Sequence, residues 1–252
     1  MRCGLFGKLP AKRDFIAVSA PRAFLRLWEP WLEKGLTEAR AQIAEADFAA
    51  AYNSAPIWRF WLGPALCGEA FAGAFMPSVD ALGRMFPLTL IGAAADAGAL
   101  APPDADPREQ WFAAVEALLL DALDPHASLE ELVKRLDGLG CDFASAHRSA
   151  LERLQAKQAR PAEGDDLATG ADAAEDSSLG AMFKAMRGEQ PGCPPEAATF
   201  WWTIGGGECP PLAMMQQSMP APATFADMLS RRHSPQGNAE KESRLQAIAQ
   251  LG

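Results

Sequence analysis

Three apolar runs of strand length follow one another closely along the chain: Pro56–Leu62, Ala70–Met76 and Pro87–Ala93. The connections between them are short. The second, Pro77-Ser78-Val79-Asp80-Ala81-Leu82-Gly83-Arg84, is rich in turn residues. Parallel neighbours need a crossover of roughly a dozen residues or more, usually a helix, so these strands are expected to pair antiparallel. Cys3–Gly7 and Thr199–Ile204 read as further strands, and Leu212–Gln216 as a partner for the latter. Along Trp58-Arg59-Phe60-Trp61, a strand places Trp58 and Phe60 on one face and Arg59 and Trp61 on the other. Trp201-Trp202 likewise sends one indole to each side, which suits a strand buried on both faces.

The helical signals lie between and after these runs. Pro21–Ile43 carries Phe24, Leu27, Trp28, Trp31, Leu32 and Leu36 on one stripe. Pro30 inside it predicts a kink or a break, with Pro30 as the first residue of a new helix. From Pro107 the period is helical, with Trp111, Val115, Leu118, Leu119 and Leu123 on one face. Ser128-x-x-Glu131 matches a capping box for the next helix. Further helices are expected over Ala144–Lys157, over Ser178–Arg187, over Thr224–Arg231 with Thr224 as cap, and weakly over Leu245–Leu251. This order predicts a mixed α/β fold of the α+β type: a largely antiparallel central sheet flanked by helices. Longin-like and profilin-like sheets are the nearest layouts, by analogy. The expected organisation is a sheet region over 1–100, a helical region over 101–160, an acidic linker over 161–178, strands and a helix completing the sheet over 179–232, and a polar tail over 233–252. Together these are read as one overall domain.

Charge narrows the function classes. The chain carries 23 Lys+Arg against 32 Asp+Glu, a net −9. Residues 1–100 sum to +1 and residues 101–252 to −10, with six acids between Glu163 and Asp176. Nucleic acid and anionic membranes attract a positive field, so neither is an expected partner. The five cysteines, Cys3, Cys67, Cys141, Cys193 and Cys209, show neither disulfide nor metal-ligand spacing. Neither a metal nor a cofactor is therefore expected. The N-terminus lacks the apolar stretch of a signal peptide, and no run approaches the ~20 apolar residues of a membrane span. A cytoplasmic location is the expectation.

Four constellations could carry chemistry. Gly7-Lys8-Leu9-Pro10-Ala11-Lys12-Arg13-Asp14-Phe15 is a basic turn after a strand. It lacks the glycines and the following helix of a phosphate-binding loop, and reads as structural. Ser78, Asp80 and Arg84 could form a hydrolytic site, but none of the three histidines, His126, His147 and His233, is near in sequence to activate a serine. A self-bonded turn with an Asp80–Arg84 pair is the structural alternative. Arg59 among aromatics could stack a nucleotide, or simply lie in a core. Gly205-Gly206-Gly207 is a bend.

Several segments, in order, resemble one family. They are Gly4-Leu5-Phe6-Gly7-Lys8-Leu9-Pro10, Asp14-Phe15, Trp28-x-x-Trp31-Leu32, Ala55-Pro56-Ile57-Trp58-Arg59-Phe60, and Met76-Pro77-Ser78-Val79-Asp80-x-x-Gly83-Arg84-x-Phe86-Pro87-Leu88. These are similar to the N-terminal region of TagF, a type VI secretion-associated family. Trp201-Trp202-Thr203 and Phe225-Ala226-Asp227-Met228-Leu229 are similar to its later segments. Two departures are Arg13, where the family usually has Gly, and Phe200, where it is usually less bulky. The resemblance implies a post-translational repressor of type VI secretion in the bacterial cytoplasm, linked to the system's forkhead-associated (FHA) scaffold protein. It implies no catalytic residues. Lys8, Asp14, Arg59, Ser78, Asp80 and Arg84 are the candidate partner-binding or signature residues. A small hydrolase or nucleotide-binding enzyme, with Lys8, Asp14, Ser78, Asp80 and Arg84 converging at one sheet end, is the alternative. A purely structural subunit of the secretion machine is the third reading.

Overall fold

The short connections do produce antiparallel pairing. The computed structural model describes residues 2–94, 100–140, 178–190, 192–206 and 209–230. β3 (Trp58–Leu62), β4 (Phe71–Met76) and β5 (Leu88–Ala93) form an antiparallel meander. β1 (Arg2–Gly7) pairs with β5 and with the short β2 (Ile16–Val18). On the other side β6 (Thr199–Thr203) pairs with β3, and β7 (Leu212–Gln216) closes that edge. The result is a seven-stranded antiparallel sheet in the order β2-β1-β5-β4-β3-β6-β7.

Helices cover both faces, which explains why the central strands are buried along their whole length. α1 (Arg22–Gln42), α2 (Glu45–Ser54) and α6 (Pro222–Ser230) cover one face. α3 (Glu109–Asp121), α4 (129–140) and α5 (Ser178–Glu189) cover the other. The alternation along β3 and β6 sorts the aromatics as expected: Trp58, Phe60 and Trp201 join the α1 side, Trp61 and Trp202 the α3 side. On the α1 side Trp28 stacks parallel to Trp201 at 5.8 Å and meets Phe60 at 4.5 Å. Most of the buried indoles keep a polar partner, Trp202 Nε1 being an exception. Trp28 Nε1 donates to Thr89 Oγ1 at 3.0 Å, Trp31 Nε1 to the Pro220 carbonyl at 2.8 Å, and Trp58 Nε1 to the Met228 carbonyl at 3.1 Å. The last two fasten α6 over the sheet. α6 approaches closely because position 35 of α1 is glycine. A Cβ there would meet the Phe225 ring.

Several expectations are corrected. α1 runs unbroken through Pro30. Pro30 lies on the exposed side, so the hydrogen bond it forfeits belongs to the solvent face, while the buried stripe continues from Trp28 to Trp31 and Leu32. α6 begins at Pro222, so Thr224 is inside the helix and is not its cap. α2 and β2 were not anticipated. α2 is Ala-rich with weak amphipathic contrast, and β2 is only three residues long. The capping box at α4 is present but stretched, the Glu131 amide lying 3.5 Å from Ser128 Oγ. The expected helix over Ala144–Lys157, nearly all of the acidic stretch over 161–178, and the tail over 233–252 with Leu245–Leu251 lie outside the described residues.

Candidate functional site

β1 ends at Gly7 and β4 at Met76, and the loops that follow them meet at one end of the sheet. The second loop folds back on itself through a bridge between Val79 and Met85. Asp80 lies beneath its tip with its side chain fully buried. One carboxylate oxygen, Oδ1, accepts the amides of Leu82 and Arg84, each at 2.9 Å. The other, Oδ2, accepts Arg84 Nε at 2.6 Å and lies 3.0 Å from Lys8 Nζ. Gly83 completes the tip at φ +77°, a conformation that favours glycine. Burial by itself would raise the Asp80 carboxyl. Hydrogen bonds from the Arg84 amide, Lys8, the Leu82 amide and the Arg84 guanidinium outweigh it and hold the group well below the usual carboxylate range.

The first loop is stitched to the second. Ser78 Oγ donates to the Lys8 carbonyl at 2.7 Å, the Ala81 amide to the Lys12 carbonyl at 2.8 Å, and Arg84 Nη2 to the Arg13 carbonyl at 2.6 Å. Tyr52, near the end of α2, locks the base. Its hydroxyl donates to the Ser78 carbonyl at 3.0 Å and accepts the Ser78 amide at 3.1 Å. Burial pushes its phenol pKa up. Lys8 Nζ also lies 5.0 Å from the centre of the Phe15 ring, which meets Phe86 edge-on at 4.8 Å.

Of the six sequence candidates, Lys8, Ser78, Asp80 and Arg84 come together here. Asp14 lies in the same first loop, exposed between Arg13 and Phe15. Arg59 does not join them. It is 2% exposed on β3 under α3, where Nε meets Glu116 Oε1 at 2.6 Å and Nη1 meets Glu109 Oε2 at 2.7 Å. Burial alone would lower its pKa, but these two carboxylates reverse the direction. Sequence reasoning missed Tyr52, Glu109 and Glu116. The signal for Tyr52 was its status as the chain's one tyrosine. For Glu116 it was an acid inside the apolar stripe of α3.

The arrangement positions loops; it does not leave a reactive pair poised. The Ser78 hydroxyl is directed at a backbone carbonyl, and Asp80 has its hydrogen-bonding capacity filled. Among the described residues no group of His, Cys, Asp and Glu could hold a metal ion, and no helix is long and apolar enough to cross a membrane.

Residues 4–139 match the family described as TagF N-terminal domain, type VI secretion system-associated. The chain is also similar to a crystal structure of PA0076 from Pseudomonas aeruginosa PAO1. That likeness has 27% identity and a TM-score of 0.65, and covers 92% of this chain and 96% of that one. No curated protein matches.

Proposed function

The chain belongs to the TagF family of type VI secretion-associated proteins, and on that premise we propose that it is a post-translational repressor of type VI secretion. It acts in the bacterial cytoplasm by binding the FHA-domain scaffold protein of the system, and it is not an enzyme. The observation that carries this reading is the state of the signature side chains. Lys8, Ser78, Asp80 and Arg84 are bonded to one another and to the backbone of their own loops. A hydrolase needs a base beside its serine, and a nucleotide site needs donors aimed outward. Here the groups shape a surface, which is the chemistry of a binding protein.

The test is a pull-down of the intact chain against the FHA protein of the same secretion system, beside a secretion assay in a deletion strain. Binding together with raised secretion on deletion is the expected result. No binding and unchanged secretion would overturn the proposal. Asp80→Ala and Arg84→Ala belong in the same experiment, each checked for folding. Binding lost in a variant that remains folded would place the partner at these loops.

A further inference from the structure

We infer that the stitched loops 8–15 and 78–86 form the docking surface for an acidic protein segment that carries a large apolar anchor residue. The inference rests on the binding role proposed above and places that acidic segment on the scaffold protein.

Four large hydrophobic side chains are exposed among the described residues: Phe15 at 52%, Leu82 at 62%, Leu120 and Ile204. Single exposed apolar residues are ordinary. Two of the four, however, are on these two loops, and neither loop is free to fold them inward. The Leu82 amide is held by Asp80 Oδ1, and the residues on either side are fixed by the Ala81–Lys12 and Arg84–Asp80 bonds. The outer part of Phe15 stays uncovered while its other side meets Phe86 and Phe6. Burying a carboxylate beside an ammonium is a costly way to hold a surface loop. What Asp80 and Lys8 fix is the tip that presents Leu82.

Charge selects the partner. Lys12, Arg13 and Arg84 are exposed cations, and Asp14 is the one exposed acid in the two loops. The chain as a whole carries −9, so this is a positive spot on an acidic molecule. The acidic excess lies in residues 101–252, so an acidic partner is favoured at this spot over that half of the chain. The Arg84 guanidinium is already oriented by Asp80 and by the Arg13 carbonyl, so engaging a carboxylate costs it little further ordering. Leu82 and the open part of Phe15 are the apolar surface of the two loops that an anchor side chain would meet.

Leu82→Ser and Arg13→Glu test the surface without cutting the stitching, because it uses the Leu82 amide and the Arg13 carbonyl and spares both side chains. Ile204→Ser, at 58% exposure, is the control away from these loops. The intact protein and the three variants are titrated against the FHA protein by calorimetry, at low and high salt, after their melting temperatures are shown to be equal. The expected result is binding roughly tenfold or more weaker for Leu82→Ser and for Arg13→Glu, unchanged for Ile204→Ser, and weaker for the parent at high salt. Equal binding by all four proteins would overturn the docking surface and leave the repressor reading in place. No binding by the parent protein would overturn the scaffold as partner and this inference with it. Sedimentation showing that Leu82→Ser abolishes a self-association while scaffold binding is unchanged would give the face to a second copy, and would also overturn the inference.

Discussion

Replacing Arg59 with methionine tests whether this residue is structural or reaches a partner. The side chains of Arg59 and Glu116 are 3% and 11% exposed, and they meet at 2.6 Å under α3. Glu109, the other partner, is 43% exposed. Arg59→Met leaves Glu116 as a buried carboxylate without its cation, and breaking one side of such a pair typically costs about 3–5 kcal/mol. That is a large share of the ~5–15 kcal/mol that holds most domains together. For a chain of this length it corresponds to a fall in melting temperature of roughly 6–20 °C. Glu109→Gln removes only a half-exposed charge and is expected to cost under about 1 kcal/mol. The double variant Arg59→Met/Glu116→Leu removes both charges and puts apolar atoms beside Phe112, over whose ring Arg59 now lies at 5.3 Å. It is expected to recover most of the loss. The assay is urea denaturation followed by tryptophan fluorescence on all four proteins, with scaffold binding measured on the double variant. The reasoning is refuted if Arg59→Met costs under about 1 kcal/mol, or if the double variant is as unstable as the single one. A stable double variant that no longer binds the scaffold would make Arg59 a partner contact despite its burial.

Other consequences are open to measurement. Gly35→Ala would ordinarily stabilise a helix, but the added methyl meets the Phe225 ring, so urea unfolding should show a loss of about 1–3 kcal/mol. The Asp80 carboxyl is lowered in the folded state, so its contribution is fully present above the unfolded value of about 3.9 and is lost as pH falls through the lower folded value. Below about pH 4, melting temperature should therefore drop more steeply with falling pH in the parent than in Asp80→Asn, and parallel curves there would contradict this. Tyr52→Phe strips the Ser78 amide of its acceptor and should cost about 1–2 kcal/mol on thermal unfolding while leaving far-ultraviolet dichroism unchanged.

The sheet was legible because its strands are bounded by turn residues and filled with aromatics. β3, β4, β5, β6 and β7 all lie within two residues of the expected positions. What failed was local inference where tertiary context decides. Pro30 stands opposite the apolar stripe of α1, so the bond it forfeits lies on the solvent face and the buried packing carries the helix through it, a tertiary effect that the local proline rule does not include. α2 is held by Phe48, Ala51 and Tyr52 docking on the core, and nothing in its own pattern announces it. At the site, the self-bonded turn with its Asp80–Arg84 pair was readable from spacing alone. The convergence of Lys8 on the same sheet end belonged to the enzyme alternative; its role as a second cation on Asp80, some seventy residues away, was not readable, because it depends on the pairing of β1 with β5. Arg59 was singled out for its aromatic neighbours, whereas its partners are acids on a helix fifty residues later.

The position of β6 bears on how the chain reaches its native state. Phe60 and Trp201 are direct partners although they stand 141 positions apart. Closing so long a loop has a large entropic cost before any contact repays it, and topologies rich in such pairings fold slowly. Until β6 arrives, β3 is an edge: Trp58-Arg59-Phe60-Trp61-Leu62 shows unpaired amides and carbonyls and an apolar aromatic face. The family-matched segment ends at residue 139, short of this closing strand. A fragment cut there is consequently expected to associate through its open β3 edge, which in the intact chain β6 covers.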